Sequence, residues 1–453
     1  MNEDFLYKTK HHIHFVGIGG VSMSSLAKVM KMRGCTVTGS DSTESALTRS
    51  LEDLGISITY AHKAENVHGA DLVVYTAAIK KDNPELVEAA ALKIETAERS
   101  VFLGELMRAY KHPCCIAGTH GKTTTTSMAG IIMTDAATDP TVMVGGQVKA
   151  LGGNLRIGKS DTFITESCEY VESFLKFHPE TAIILNVEED HLDYFTGIDH
   201  IISAFHKFAA LVPENGYVIV NGTDKNALKA VENIRAKNIQ TFGLDDTCTF
   251  HAENIKFHDS GCTAYDLMRG KTKIGHITLS VPGKHNVLNS MAATIYALNC
   301  GVPSLDRFHG TDRRFEIKGE YHGAVLVDDY AHHPTEIRAT MESAENYGKK
   351  KIIAVFQSHT YTRTKALLKE FSESFDLADE IIVTDIYAAR EKDTGLVKPQ
   401  DLVDLLQKRG KNATYIKEFS DIAAALKEKA DPDTLIITVG AGNINQVLNF
   451  MKD

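Results

Sequence analysis

The stretch of this sequence best suited to chemistry is Gly118-Thr119-His120-Gly121-Lys122-Thr123-Thr124. An apolar run precedes it and a helix-compatible run follows, which predicts a strand, a glycine turn and the start of a helix. In that geometry backbone N–H groups and the helix dipole favour a phosphate, Lys122 adds a cation, and the Thr123 hydroxyl can bind Mg²⁺. The loop is a shortened phosphate loop, because Ile116 stands where the longer pattern requires glycine. We interpret it as an ATP site rather than as a turn that only caps a helix.

Residues that could complete a metal site follow two later strands. Glu166 comes after the apolar run 162–165, and Asp190-His191 comes shortly after the run 181–185. Phosphoryl transfer needs Mg²⁺ held by hard ligands, and strand ends are where ligands bind in open α/β sheets. We therefore predict Thr123, Glu166 and His191 as metal ligands. The alternative for His191 is a histidine satisfied within its own loop.

A second glycine turn, Gly17-Ile18-Gly19-Gly20, lies between an apolar strand pattern and a helical pattern, and the next strand ends at Asp41. This order is typical of a Rossmann-like unit. Ser22 stands where the third glycine of a dinucleotide fingerprint belongs, so the turn predicts a diphosphate of some kind and is weak evidence for NAD. Asp41 could accept a hydrogen bond from a ribose or sugar hydroxyl, or it could merely start a turn.

Charged loops follow three successive strands near the C-terminus. The first holds Asp329, His332 and His333, the second His359 and Arg363, and the third spans residues 385–392. Arg363 is suited to a bidentate grip on a carboxylate or phosphate. A solvated charged rim would explain one such loop better than three in a row. We therefore predict one site that faces the ATP-binding part of the chain.

Length and pattern predict an α/β protein of three domains. With 453 residues the chain has room for about three domains of ordinary size. We expect a Rossmann-like domain over residues 1–111, a P-loop ATPase-type α/β domain over 112–309, and a doubly wound Rossmann-like domain over 310–453. Short alternating strands between residues 247 and 281 predict a small antiparallel patch.

Composition narrows the functional class. The net charge of −10 argues against a general nucleic-acid binder, although local basic pockets for small anions stay possible. Seven cysteines without a Cys-x-x-Cys pair suggest neither a zinc knuckle nor a disulfide framework. The polar N-terminus does not resemble a signal peptide, and no apolar run is long enough to span a bilayer. We expect a cytoplasmic enzyme without membrane insertion, as a monomer or homodimer.

Taken together and in order, these motifs resemble the Mur ligase superfamily, and within it the members that add alanine. The resemblance covers nearly the whole chain. It is carried by the two glycine loops and by the segments Thr165-Glu166-Ser167, Asp190-His191-Leu192-Asp193-Tyr194-Phe195, Pro282-Gly283-Lys284-His285-Asn286-Val287-Leu288-Asn289, Arg313-Arg314-Phe315-Glu316, Asp328-Asp329-Tyr330-Ala331-His332-His333-Pro334 and Tyr361-Thr362-Arg363-Thr364.

The resemblance implies a ligase that uses ATP and Mg²⁺ to join L-alanine to the lactyl carboxylate of UDP-N-acetylmuramate through an acyl phosphate, in cell-wall precursor synthesis. It implies that the first domain binds the UDP-sugar, through Gly17, Gly19, Gly20, Ser22 and Asp41. It places adenine at His285 and Asn289, the ATP ribose at Asp329, and the amino acid at His333, His359 and Arg363. The catalytic residues it implies are Lys122, Glu166, His191, His332 and Arg363.

Two positions depart from the family pattern. Cys168 replaces an aspartate that often precedes Glu169, and Thr360 stands where some relatives carry a second arginine for the amino-acid carboxylate. The nearest alternative function is a sister ligase that attaches a ready-made murein tripeptide during wall recycling. A nicotinamide-dependent oxidoreductase and a non-catalytic nucleotide-binding module are more distant alternatives. The first conflicts with the imperfect fingerprint, and the second leaves the metal and arginine loops unexplained.

Overall fold

The computed structural model describes residues 11–258, 262–302, 307–308, 314–389, 391–393 and 395–451. The second predicted domain boundary, at residues 309 and 310, and Arg313 of the family motif lie outside the described residues. The chain divides into two compact units. The first comprises residues 1–188, 199–241 and 292–303, and the second comprises residues 189–198, 242–291 and 304–453.

The first unit opens with a five-stranded parallel sheet of order β3-β2-β1-β4-β5. Its strands are β1 (His12–Val16), β2 (Thr36–Ser40), β3 (Ser57–Thr59), β4 (Leu72–Tyr75) and β5 (Glu95–Glu98). Its helices are α1 (Val21–Met32), α2 (Ala46–Glu52), α3 (Pro84–Ala91) and α4 (Arg99–Met107). The strand order reverses between β1 and β4, and ligands of open α/β sheets bind outside the carboxyl ends of the strands at such a point.

The same unit contains a second run of strands and helices. They are β6 (His112–Ala117), α5 (Lys122–Asp135), β7 (Thr141–Val148), β8 (Gly153–Arg156), β9 (Thr162–Glu166), β10 (Thr181–Ile184), α6 (Ile198–Ala209), β11 (Tyr217–Asn221), α7 (Lys225–Ala230) and β12 (Asn238–Gly243). Strand β6 is buried and pairs in parallel with β10 on one side and β9 on the other. The carboxyl ends of these three strands therefore meet at one edge of the sheet.

The second unit contains an antiparallel patch and a doubly wound sheet. Its elements are β13 (Phe250–Phe257), β14 (Thr263–Arg269), β15 (Thr272–Leu279), α8 (Lys284–Asn299, of which residues 292–299 belong to the first unit), β16 (Arg307–Phe308), β17 (Glu316–Tyr321), β18 (Ala324–Asp329), α9 (Pro334–Asn346), β19 (Lys351–Phe356), α10 (Tyr361–Ala366), α11 (Leu368–Glu373), β20 (Glu380–Val383), α12 (Pro399–Lys408), β21 (Asn412–Tyr415), α13 (Phe419–Lys427) and β22 (Thr434–Val439). The sheet has the order β17-β18-β22-β19-β20-β21 and is parallel except for β17. Separate apolar clusters pack on its two faces, as a doubly wound sheet requires.

The α/β fold class and the antiparallel patch, now β13 to β15, are confirmed. The helical segment that follows β19 consists of two short helices, α10 and α11, that meet at Leu367. Strand β5 escaped prediction because its sequence, Glu-Thr-Ala-Glu, has a polar and mostly exposed pattern. Among the described residues, no helix combines the length and apolar character that a bilayer crossing requires.

Candidate active site

The predicted phosphate loop lies between β6 and α5, as the sequence suggested. Gly118 and Gly121 have φ of 150° and 82°, a backbone conformation that side chains rarely adopt. Gly121 is the N-cap of α5, whose start has no side-chain cap and no acidic residue in its first turn. Thr124 is buried in that first turn. The loop therefore presents uncapped N–H groups, which is the arrangement that binds a phosphate.

Asn186, two residues beyond β10, holds the phosphate loop in shape. Its Oδ1 accepts from the N–H of His120 at 2.7 Å, and its Nδ2 donates to the carbonyl of the same residue at 3.2 Å. The carbonyl of Asn186 accepts from the N–H of Thr119 at 3.1 Å. The Thr119 hydroxyl in turn accepts from the N–H of Glu188 at 2.9 Å. Two neighbouring strand ends thus fix the loop that would cradle the nucleotide.

The Lys122 ammonium is held by three groups around the loop. Its Nζ donates to the carbonyls of Gly118 at 2.5 Å and Thr119 at 3.1 Å, and it lies 3.1 Å from Glu169 Oε2. Burial alone would lower the pKa of Lys122, but the Glu169 carboxylate outweighs it and the pKa lies above the ordinary value for lysine. Lys122 is therefore a charged, positioned cation.

Thr123 and Glu166 form the oxygen cluster predicted for the metal. Thr123 Oγ1 donates to Glu166 Oε2 at 3.1 Å, and the other carboxylate oxygen accepts from the N–H of Gly145. A Cβ atom at Gly145 would lie 2.8 Å from that carboxylate, so a side chain there would displace it. A hydroxyl and a carboxylate beside a phosphate loop fit Mg²⁺, which prefers hard oxygen ligands. His191, the third predicted ligand, belongs to the second unit.

The first glycine loop is held in place by hydrogen bonds to the end of β2 and the residue that follows it. The N–H groups of Gly17 and Ile18 donate to the Ser40 carbonyl at 2.8 and 3.0 Å, and the N–H of Gly19 donates to Asp41 Oδ2 at 2.8 Å. Asp41 Oδ1 accepts from the N–H of Ser42, so Asp41 both starts a turn and holds the loop.

The helix behind this first loop has an open start. Gly20 is the N-cap of α1, which has no side-chain cap and no acidic residue in its first turn. The Ser22 hydroxyl lies in that first turn. This end of α1 can therefore accept a negatively charged group, such as a diphosphate.

The second unit contains a cavity of about 540 Å³. Its walls include four of the predicted site residues, His191, His332, His359 and Arg363. They also include Thr360, from the same loop as His359 and Arg363. Thr360 is buried and has φ 67° and ψ 144°, a conformation that is strained for a β-branched side chain. Strain of this kind is retained where the surrounding structure requires it, and here it lies on the cavity wall.

Arg363 is anchored within this cavity by Asp190. Its Nε and Nη2 donate to Asp190 Oδ1 at 3.2 and 2.9 Å, and both side chains are largely buried. Burial alone would raise the pKa of Asp190, but the Arg363 guanidinium holds it well below its ordinary value. Arg363 Nη1 lies 3.4 Å from His359 Nδ1. The pairing fixes one edge of the guanidinium and directs Nη1 toward the His359 side of the cavity.

The two adjacent histidines of the first charged loop have different environments. His332 lines the cavity, and its Nδ1 lies 3.0 Å from the Tyr330 carbonyl. Burial is the main reason that the pKa of His332 is lowered to about 4. Near neutral pH the ring is therefore uncharged, with Nδ1–H donating to Tyr330 and Nε2 left as an acceptor.

His333 instead caps α9. Its Nδ1 accepts from the N–H of Thr335 at 3.3 Å, and its Nε2 lies 3.1 Å from the Glu189 carbonyl. It is not among the residues that line the cavity. The expected contact of His333 with an amino acid is thus not what this geometry favours, because both ring nitrogens already have backbone partners.

The residues expected near the adenosine lie at β18 and at the start of α8. Asp329 is buried and accepts from the N–H groups of Ala331 at 2.8 Å and Phe315 at 2.7 Å. Burial is the main cause that raises its pKa to about 6. His285 is half-buried, and loss of solvent around its ring lowers its pKa to about 4. Asn289 Nδ2 donates to Asn286 Oδ1 at 3.4 Å.

Family comparisons agree with this arrangement along the whole chain. Residues 12–111 match the description "Mur ligase family, catalytic domain", residues 116–297 match "Mur ligase middle domain", and residues 313–442 match "Mur ligase, glutamate ligase domain".

This chain belongs to the Mur ligase family.

Curated relatives within the Mur ligase family are similar over nearly the full length. The UDP-N-acetylmuramate–L-alanine ligase of Caldanaerobacter subterraneus is 52% identical, and the match covers 96% of each chain. The enzyme of the same name from Acetivibrio thermocellus is 49% identical over 98% of this chain and 96% of its own.

Two solved Mur ligase structures have the same three-domain α/β fold. UDP-N-acetylmuramate-alanine ligase MurC from Thermotoga maritima is 30% identical, with a TM-score of 0.81 over 97% of this chain and 98% of its own. A murein peptide ligase from Psychrobacter arcticus is 24% identical, with a TM-score of 0.70 over 97% and 98%, and shows the fold alone.

The structure gives three residues of the Mur ligase site roles that the sequence does not predict. In the sequence Glu169 is only the neighbour of Cys168, Asn186 only follows a strand, and Asp190 is only the partner of His191 in a candidate metal pair. Each acts by orienting another group: Lys122, the phosphate loop and Arg363, respectively. The position of Glu169, three residues after Glu166, was the available signal for the first. The other two contacts depend on how separate strands are brought together.

Proposed function

We propose that this chain is the ATP-dependent ligase that joins L-alanine to the lactyl carboxylate of UDP-N-acetylmuramate. The observation that carries the proposal is the match, at about half identity and nearly full length, to enzymes of that name. The phosphate loop with its Thr123–Glu166 oxygen pair and the arginine-anchored cavity support it. The tripeptide ligase of wall recycling has weaker support, because these curated relatives are alanine ligases.

In the first step a lactyl carboxylate oxygen attacks the γ-phosphorus of ATP, an acyl phosphate forms and ADP leaves. Lys122 exchanges Glu169 for phosphate oxygens, and the N–H groups at the start of α5 stabilise the charge that develops on the transferring group. Thr123 and Glu166 would hold Mg²⁺, with His191 as the third proposed ligand. When bound, the ion would offset negative charge on the phosphates.

In the second step the amine of L-alanine attacks the acyl carbon, and phosphate leaves with one oxygen of the former carboxylate. Arg363 and His359 would bind the amino-acid carboxylate at the edge that Asp190 leaves available. His332 would accept a proton of the amine at Nε2, because its Nδ1–H is committed to Tyr330. Substrate anions beside His332 would raise its proton affinity.

The remaining assignments belong to the same proposal. Gly17, Gly19, Gly20 and Ser22 would bind the UDP-sugar, with Asp41 holding their loop. Asp329, His285 and Asn289 are proposed for the adenosine. His333 is proposed as a support for the loop that carries His332 rather than as a ligand of the amino acid.

The experiment is to incubate the protein with ATP, Mg²⁺ and UDP-N-acetylmuramate, and to supply either L-alanine or the murein tripeptide. Mass spectrometry of the nucleotide product shows which amide has formed. The proposal expects the alanyl product, dependent on ATP and lost in Lys122→Ala. Product formation only with the tripeptide would move the assignment to the recycling enzyme, and no amide with either acceptor would contradict a ligase.

A further inference from the structure

Arg99 lies beside the start of α1, the helix that follows the first glycine loop. It is the first residue of α4 and follows directly after β5. Its Nη1 donates to Ser22 Oγ, in the first turn of α1, at 3.5 Å. Strand β5 lies beyond β4 in the sheet, so this side chain reaches from the end of β5 across the mouth of the crevice between β4 and β1. That crevice is the strand-order reversal at which α/β sheets bind ligands.

The Arg99 guanidinium is poorly satisfied for a group with five N–H donors. Among the described residues, its recorded hydrogen bond is the long one to Ser22, and no carboxylate lies within 4.0 Å of it. By contrast, Arg108, at the other end of α4, pairs with Glu105 at 3.2 Å. Since α1 begins with no acidic residue and no side-chain cap, its partly positive end adds to the charge of Arg99 at the mouth of the crevice. Such a place favours an anion.

The helices at this crevice also contact the second run of strands and helices, which carries the ATP loop. Asn154, in β8, donates through Nδ2 to the Val21 carbonyl at 3.1 Å and to Ser25 Oγ at 2.7 Å, both at the start of α1. Helix α4 packs closely on the segment that follows Glu169, because a Cβ atom at Gly104 would lie 2.0 Å from the carbonyl oxygen of Lys176. The start of α1 and the helix that carries Arg99 therefore both contact the part of the first unit that holds the ATP loop.

We propose that Arg99 binds the lactyl carboxylate of the UDP-sugar and presents it to the γ-phosphate of ATP. The inference rests on the proposed function and adds a binding residue to it. The carboxylate is the anionic group of that substrate which must approach the nucleotide, and two anions brought together repel each other. A guanidinium between them offsets the repulsion and orients the nucleophile through a bidentate contact.

The test compares two nucleotide sugars by calorimetry, with a non-hydrolysable ATP analogue present. UDP-N-acetylmuramate carries the lactyl carboxylate, whereas UDP-N-acetylglucosamine has the same diphosphate and lacks that carboxylate. We expect Arg99→Ala to weaken binding of the first sugar by about 10- to 100-fold, the usual range for a lost charge-assisted contact, and to leave the second within about twofold. Arg99→Lys should lose part of the affinity because an ammonium cannot bind both oxygens in one plane.

The matched control is Arg108→Ala, which removes an arginine from the same helix and should change neither affinity. Equal weakening for both sugars would overturn the proposal, because the contact would then be to the diphosphate. Unchanged binding of UDP-N-acetylmuramate would overturn it as well. Melting temperature and affinity for the ATP analogue check folding, and Arg99→Lys serves if Arg99→Ala does not fold. Failure of the wild type to form the alanyl product would contradict the proposed function separately, since this comparison measures only binding.

Discussion

Glu169 Oε2 lies 3.1 Å from Lys122 Nζ, so the cation expected to bind ATP phosphates already has a buried carboxylate as its partner. An isolated ammonium at this depth would be costly, and Glu169 compensates for it. A triphosphate must replace that carboxylate. Nucleotide binding and the stability of the loop are therefore coupled through one ion pair.

This coupling predicts that Glu169→Gln lowers the stability of the free protein and raises its affinity for nucleotide. The variant should lose about 3 kcal/mol of unfolding free energy without nucleotide, because a buried charge loses its partner. It should also bind a non-hydrolysable ATP analogue more tightly than the wild type, since the phosphates no longer displace a carboxylate. Denaturation with and without the analogue measures both effects.

Glu172→Gln, which removes only the more exposed contact to Lys207, is the control. If Glu169→Gln bound the analogue more weakly than the wild type, phosphate would not replace the Glu169 carboxylate at Lys122.

The Thr123 hydroxyl is predicted to be needed for the metal rather than for folding. Thr123→Val keeps the shape of the side chain and removes the oxygen that contacts Glu166. We expect turnover to fall by about 10²-fold and the Mg²⁺ concentration for half-maximal rate to rise. Thr123→Ser, which retains the hydroxyl, should stay within a few-fold of the wild type. Equal activity of the valine and serine variants would rule out a metal role.

Arg363 is predicted to act on the amino acid alone. Arg363→Lys should raise the KM for L-alanine by about 10- to 100-fold, because a lysine cannot both pair with Asp190 and bind a carboxylate edge. The KM for ATP should change by less than about twofold. Arg338→Lys, at an exposed position of α9, is the matched control. A parallel rise of both KM values would point to a general loss of structure instead.

The pKa shift of His332 predicts how stability depends on pH. Its folded-state pKa of about 4 lies below the ordinary value of about 6.5. Between those two values the unfolded chain binds a proton that the folded chain does not, so stability falls as the pH is lowered from about 6.5 to 4. The full contribution is about 3 kcal/mol, and it levels off below pH 4.

His332→Gln should therefore flatten the acid part of the stability curve measured by urea denaturation, while His68→Gln at an exposed position should not.

Asp329 contributes to the pH dependence of stability with the opposite sign. Its pKa is raised to about 6, so the folded chain holds a proton that the unfolded chain has released. Stability from Asp329 is lost as the pH rises from about 4 to 6. Asp329→Asn should consequently steepen the curve, and a flatter curve would contradict the assignment.

The backbone strain at Thr360 is predicted to lower the stability of the protein and to support binding of L-alanine in the cavity. Its φ of 67° strains a β-branched residue by about 1–3 kcal/mol, whereas glycine adopts this conformation readily. We expect Thr360→Gly to unfold at a higher temperature and to bind L-alanine more weakly. Thr362→Gly, in the first turn of α10, is the control and should be destabilising. A glycine variant at position 360 with unchanged L-alanine affinity would leave the strain without a functional reason.

The sequence predicted the elements around the two glycine loops well because each is local. The phosphate loop needs only β6, two glycines and the start of α5, which are adjacent in the chain. The same holds for the first glycine loop between β1 and α1. Strong apolar runs and turn residues within some 20 positions suffice for such motifs.

Contacts between distant segments could not be predicted in this way. Arg363 and Asp190 are 173 positions apart, and no local pattern shows that an arginine expected for a substrate is anchored by an aspartate beside a metal candidate. His332 and His333 are neighbours with similar sequence surroundings. Only the packing shows that the first lines the cavity and the second caps α9. Side-chain direction in a loop depends on tertiary contacts that periodicity does not encode.

The proposed reaction is tested most directly by tracing the oxygen atoms of the lactyl carboxylate into the released phosphate. UDP-N-acetylmuramate labelled with heavy oxygen in that carboxylate is turned over with ATP, Mg²⁺ and L-alanine, and the released phosphate is analysed by mass spectrometry. An acyl phosphate requires one labelled oxygen to pass to each phosphate, with release dependent on L-alanine and abolished in Lys122→Ala. Unlabelled phosphate would mean that water attacks ATP, and it would contradict the proposed reaction.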